Sequence, residues 1–106
     1  MLSFEEIADL LSQLYESDFN GKNNGRFRIA RPELAMLSGR EYIERSSVKQ
    51  IITWLAEKHG LLMIDMNDEF PIIKYSILRR YRKATSRVLE DVLGVSSEIE
   101  SSDEDE

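Results

Sequence analysis

The stretch SSVKQIITWLAEKHGLLMIDMNDEFPIIKY, residues 46–75, decides the fold. Its two halves have different periods. Val48, Ile51, Ile52 and Leu55 fall at i, i+3, i+4 and i+7, a single apolar helix face. Ser46 or Ser47 is placed to cap that helix. Lys58 and His59 sit favourably at its negative C-terminal end, and Gly60 stops it. Leu61 to Met66 is too short and too apolar for another helix, so it reads as a strand. Asn67-Asp68-Glu69 turns the chain. Phe70 to Tyr75 then returns, with Pro71 near its start, where a lost donor is tolerable. A helix followed by a β-hairpin makes the chain α+β.

Upstream, Ser3 and Glu6 form a capping-box pattern. Apolar residues recur at helical spacing from Phe4 through Ile7, Leu11 and Leu14 to Tyr15, predicting a helix over 4–16. Asn20-Gly21 and Asn24-Gly25 bracket a polar loop. Residues 26–30 alternate, predicting a short strand with Phe27 and Ile29 inward and Arg26 and Arg28 outward. Pro32 suits a first helical turn, because its missing amide costs nothing there, and Gly39 closes that helix. Residues 40–45 read either as a turn or as continued helix. Downstream, Ser76 is placed to cap a last helix running to about Leu93, closed by Gly94. Residues 1–94 thus form one domain. Residues 95–106, mostly Ser and acids, are expected to be a disordered acidic tail, since so little apolar surface cannot offset the entropy of ordering.

The net charge of −6 divides unevenly. All 14 Lys and Arg lie between Lys22 and Arg87, while six of the 20 acids lie beyond Gly94. The body is therefore neutral and need not repel nucleic acid, whereas the tail must. There is no Cys, which excludes disulfides and thiolate metal sites and fits a reducing compartment. No secretory signal pattern opens the chain, and no stretch reaches the ~18 apolar residues of a membrane span. An intracellular protein, cytoplasmic or nuclear, with no membrane partner is expected.

The element order is helix, strand, helix, helix, hairpin, helix. It resembles the winged helix-turn-helix superfamily over about residues 4–75, the last helix being an addition. Ala35 and Gly39 match the small residue and turn glycine of many helix-turn-helix units. The buried aliphatic residue six positions after that glycine would be Arg45; Val48 fits only if the turn is three residues longer. The resemblance implies that the helix beginning near Ser46 is a recognition helix. Its outward residues are then Ser46, Ser47, Lys49, Gln50 and Thr53, of which Gln suits adenine and Lys suits guanine or phosphate. DNA binding then predicts a positive surface joining Arg26, Arg28, Arg31 and Lys49, or else one along the last helix. A second basic set, Arg79, Lys83 and Arg87 at i, i+4 and i+8, would form a stripe on the last helix. The acidic hairpin tip, Asp65, Asp68 and Glu69, argues against phosphate contact there.

The function these features imply is that of a small accessory DNA-binding or regulatory protein, homodimeric, with the acidic tail modulating binding. The alternative is a protein–protein adaptor on the same scaffold, marked by an exposed apolar patch. An enzyme is not expected. His59 is the lone His, no Gly-rich cradle follows the first strand, and the segment 65–76 lacks the glycine and closing Glu of a calcium loop. Neither a metal nor a cofactor is predicted.

Overall fold

Three helices pack over one face of a three-stranded antiparallel sheet in the computed structural model, which describes residues 1–19, 22–23 and 25–94. The element order is α1 (Phe4–Glu16), β1 (Asp18–Phe19), β2 (Lys22–Asn23), β3 (Phe27–Ala30), α2 (Arg31–Ser38), α3 (Arg45–Trp54), β4 (Leu61–Met63), β5 (Glu69–Lys74), α4 (Tyr75–Leu78) and α5 (Ser86–Leu93). This α+β layout is compatible with a winged-helix-like arrangement. Among the described residues no helix is long and apolar enough to cross a membrane. The acidic segment 95–106 lies outside the described residues.

α1 begins as its capping box dictates. The Glu6 amide donates to the Ser3 hydroxyl at 3.1 Å, and the Ser3 amide donates to the Glu6 carboxylate at 2.9 Å. Ile7, Ala8, Leu11 and Tyr15 form its buried face, which packs against α3. Where the sequence predicts only a polar loop, β1 and β2 pair antiparallel as a small second sheet.

In the main sheet β5 is central, in the order β3-β5-β4. Phe27 pairs with Ile72, and Ile29 pairs with Phe70. With Met63 opposite Ile72, these side chains turn toward the helices. The outer face carries Arg28 opposite Pro71 and Leu62 opposite Ile73. A proline in a central strand removes a ladder donor. The loss is tolerated because Pro71 points its backbone toward β4 just beyond that strand's paired end, where its carbonyl accepts from the Ile64 amide at 2.9 Å.

α2 starts with Pro32 in its first turn and ends at Gly39, whose left-handed φ of 77° no β-carbon would welcome. Residues 40–44 are not helical, which settles the ambiguous segment as a turn. The turn is long enough for Val48 to be fully buried on α3, as the longer-turn alternative requires. Ile43, inside the turn, is also fully buried.

Three sequence expectations are corrected. Neither Ser46 nor Ser47 caps α3: the cap position is Glu44, without a side-chain hydrogen bond, so both serines lie inside the first turn. Ser76 likewise lies within α4, whose cap position is Lys74. The predicted helix 76–93 is two helices, α4 and α5, joined by residues 79–85. Arg79, Arg80, Arg82 and Lys83 would repel one another at i, i+3 and i+4 in a continuous helix, each pair costing roughly 0.2–0.5 kcal/mol. Thr85 instead caps a fresh helix, its hydroxyl accepting from the Val88 amide at 3.3 Å.

Candidate nucleic-acid interface

α3 runs on through a π-helical turn, Leu55–His59, to Gly60. Val48, Ile51 and Leu55 point into the core with no exposed surface. The rotation this imposes leaves Arg45, Ser46, Lys49, Gln50 and Thr53 exposed along one side. Four of the five recognition-helix candidates are therefore brought together; Ser47 is half-buried at the edge. Arg45 completes the face. At i−3 from Val48 it lies on the flank of the buried side, so the spacing of residues 48, 51 and 55 does not by itself turn it outward; its place at the start of α3 leaves it exposed.

The chemistry of this face is cationic and hydrogen-bonding. No acid occurs between Arg45 and Ala56. Arg45 and Lys49 form no ion pair among the described residues. The Thr53 hydroxyl donates back to the Lys49 carbonyl at 3.1 Å, so it meets an incoming ligand as an acceptor. The first-turn amides are not satisfied by any capping side chain, and these amides together with the helix dipole favour an anion at that end. Glu44 and Glu41, both exposed, border the same end and oppose it.

The other predicted basic residues are not gathered onto this face. Arg26 precedes β3, and Arg28 lies on the outer face of the sheet. Both line a shallow depression of about 290 Å³ with Pro71 and Ile73 that includes no α3 residue. Arg28 Nε lies 2.9 Å from Glu69 Oε1, an exposed pair of little energetic worth. Arg31 is withdrawn from the surface that it was expected to join with Lys49. Its Nε donates to the Asn67 carbonyl at 2.6 Å, its Nη1 donates to the Ile43 carbonyl, and its guanidinium stacks 5.1 Å from the Phe70 ring centre. It therefore clamps the hairpin tip and the 40–44 turn onto the start of α2. The stripe of Arg79, Lys83 and Arg87 does not exist as one helix face. Arg79 caps α4, Lys83 lies in the connecting segment and Arg87 is on α5, all exposed.

The hairpin tip is acidic and ordered by its own groups. The Asp65 carboxylate accepts from the Asn67 amide at 2.8 Å, which supports the φ of 75° at Asn67, a conformation that asparagine tolerates.

Beyond the far end of α3, four side chains lash the helix to α1. Lys58 Nζ lies 2.8 Å from Glu5 and 3.1 Å from Asp9 Oδ1, and His59 Nε2 lies 2.7 Å from Asp9 Oδ1. The hydrogen bond from His59, then that from Lys58, holds the Asp9 carboxyl below its ordinary value of 3.8. A carboxyl depressed in the folded state adds stability at pH above its unfolded value, and this is lost as pH falls through the folded value. Asp9→Asn is accordingly expected to lower the urea midpoint near neutrality. That difference should close once pH falls below the ordinary aspartate range, as a pH series of urea midpoints would show; a constant difference would mean that the charge is not involved.

No protein-family model matches the chain. No curated protein and no solved structure matches it either. Among the described residues there is no group of three or more His, Cys, Asp or Glu placed to hold a metal ion.

Proposed function

We propose that this chain is a small double-stranded DNA-binding protein of winged-helix type that lays the exposed face of α3 in the major groove. The observation that carries the reading is the α3 face itself. Arg45 and Lys49, which form no ion pair among the described residues, stand beside Gln50 on a helix whose opposite side is locked into the core. Arginine and lysine read guanine or bind phosphate, and glutamine pairs with adenine. The sheet order β3-β5-β4 and the hairpin after α3 are compatible with such a scaffold. The acidic hairpin tip is expected to stay off the phosphates, so affinity rests on few backbone contacts and should be modest.

Fluorescence anisotropy of a labelled random duplex tests this at low and moderate salt, with the full chain and with a chain ending at Gly94. The expected result is binding that weakens with salt, with a log–log slope of about −0.9 per phosphate neutralised. The shorter chain should bind more tightly, because six acids lie beyond Gly94. Absence of binding by either chain at low salt would overturn the reading. The second reading, a protein-binding adaptor, would then lead. One observation favours it: Val88, Leu89, Val92 and Leu93 on α5 are 49–79% exposed.

A further inference from the structure

α5 is amphipathic but has no buried residue. Thr85, Val88, Leu89, Val92 and Leu93 share one side of the helix; Glu90 and Asp91 border that side from opposite edges, and Arg87 is at the back. An eight-residue helix is marginal in water unless its apolar face is covered. A surface of matching character lies on the outer face of the sheet. The floor of the depression there is Pro71 and Ile73, and Arg26 and Arg28 stand along the edge strand β3. An apolar ridge with acidic borders fits an apolar groove whose rim carries Arg26 and Arg28; the exposed Glu69 partner of Arg28 is held only weakly and can be exchanged for an acid of α5. Pairing α5 with another α5 would instead set acids against acids across the seam. Within one chain α5 does not line this groove.

We propose that α5 of one copy docks in the outer-sheet groove of a second copy, and reciprocally, to form a two-fold symmetric dimer. One such contact falls short of a stable interface. Made twice by symmetry, the contact covers eight apolar α5 positions, so each seam supports the other. This inference goes beyond DNA binding and does not rest on it.

Sedimentation equilibrium of the full chain from low to high micromolar concentration tests the proposal. The wild type is expected to dimerise, and Leu89→Asp with Val92→Asp is expected to remain monomeric. Charge reversal then locates the groove. Arg26→Glu with Arg28→Glu should be monomeric, as should Glu90→Arg with Asp91→Arg, since each sets like charges together. Mixed in equal amounts, the two should form a heterodimer, because both reciprocal contacts regain opposite charges. Apart from half-buried Glu90, every side chain altered here is exposed, so the body should fold in each variant. A wild type that stays monomeric at all concentrations would overturn the proposal. So would an Arg26→Glu, Arg28→Glu variant that dimerises like the wild type, or a mixture that does not associate.

Discussion

Ile43→Ala is expected to destabilise the fold by roughly 2–5 kcal/mol, the range for emptying a fully buried aliphatic site. Ile43 is 0% exposed although it belongs to no helix or strand. Its carbonyl accepts from Arg31, the side chain that also holds the hairpin tip through Asn67. The side chain and the carbonyl of one turn residue therefore fix where α3 begins relative to α2 and the hairpin. Surrounding atoms cannot close the cavity easily, because the turn is tied at its backbone. Urea unfolding should show a lowered midpoint with an unchanged slope. Tyr42→Ala is the control: Tyr42 is 67% exposed, and its truncation should change stability by no more than about 0.5 kcal/mol. A loss of less than about 1 kcal/mol for Ile43→Ala would mean that the turn is not part of the core.

What the sequence revealed of this fold follows periodicity. The apolar repeats of α1 and α3, the alternation in β3 and the capping box at Ser3 all appear where the spacing put them. Ile43 was invisible because a single buried residue in a turn has no period. The division of the last helix was hidden for the opposite reason. Ile77, Leu78, Tyr81, Val88 and Leu89 keep roughly helical spacing, but four cations in residues 79–83 oppose a continuous helix, and periodicity does not register repulsion. The candidate site was legible in part. Lys49, Gln50 and Thr53 could be read from the wheel of α3, whereas the role of Arg31 could not. Its partners Asn67 and Ile43 are backbone carbonyls 36 and 12 residues away, and no side-chain pattern encodes a carbonyl.

Arg45→Ala with Lys49→Ala is expected to weaken duplex DNA binding on the order of a hundredfold and to reduce the salt slope by about 2. Each side chain is exposed and forms no ion pair among the described residues, so stability should stay within about 0.5 kcal/mol of wild type. Gln50→Ala should behave differently. An uncharged side chain releases no counterions, so the salt slope should hold while the preference among duplex sequences relaxes. The two signatures separate anchoring from reading, which a bare loss of affinity would not. A control set, Arg79→Ala, Arg82→Ala and Lys83→Ala, removes three cations from the segment between α4 and α5 without touching α3. If these three weaken binding and flatten the slope while Arg45→Ala with Lys49→Ala leaves both unchanged, DNA is held by the C-terminal basic segment. α3 would then be an ordinary solvated helix face, because a helix lying in a groove cannot lose its only two cations without effect.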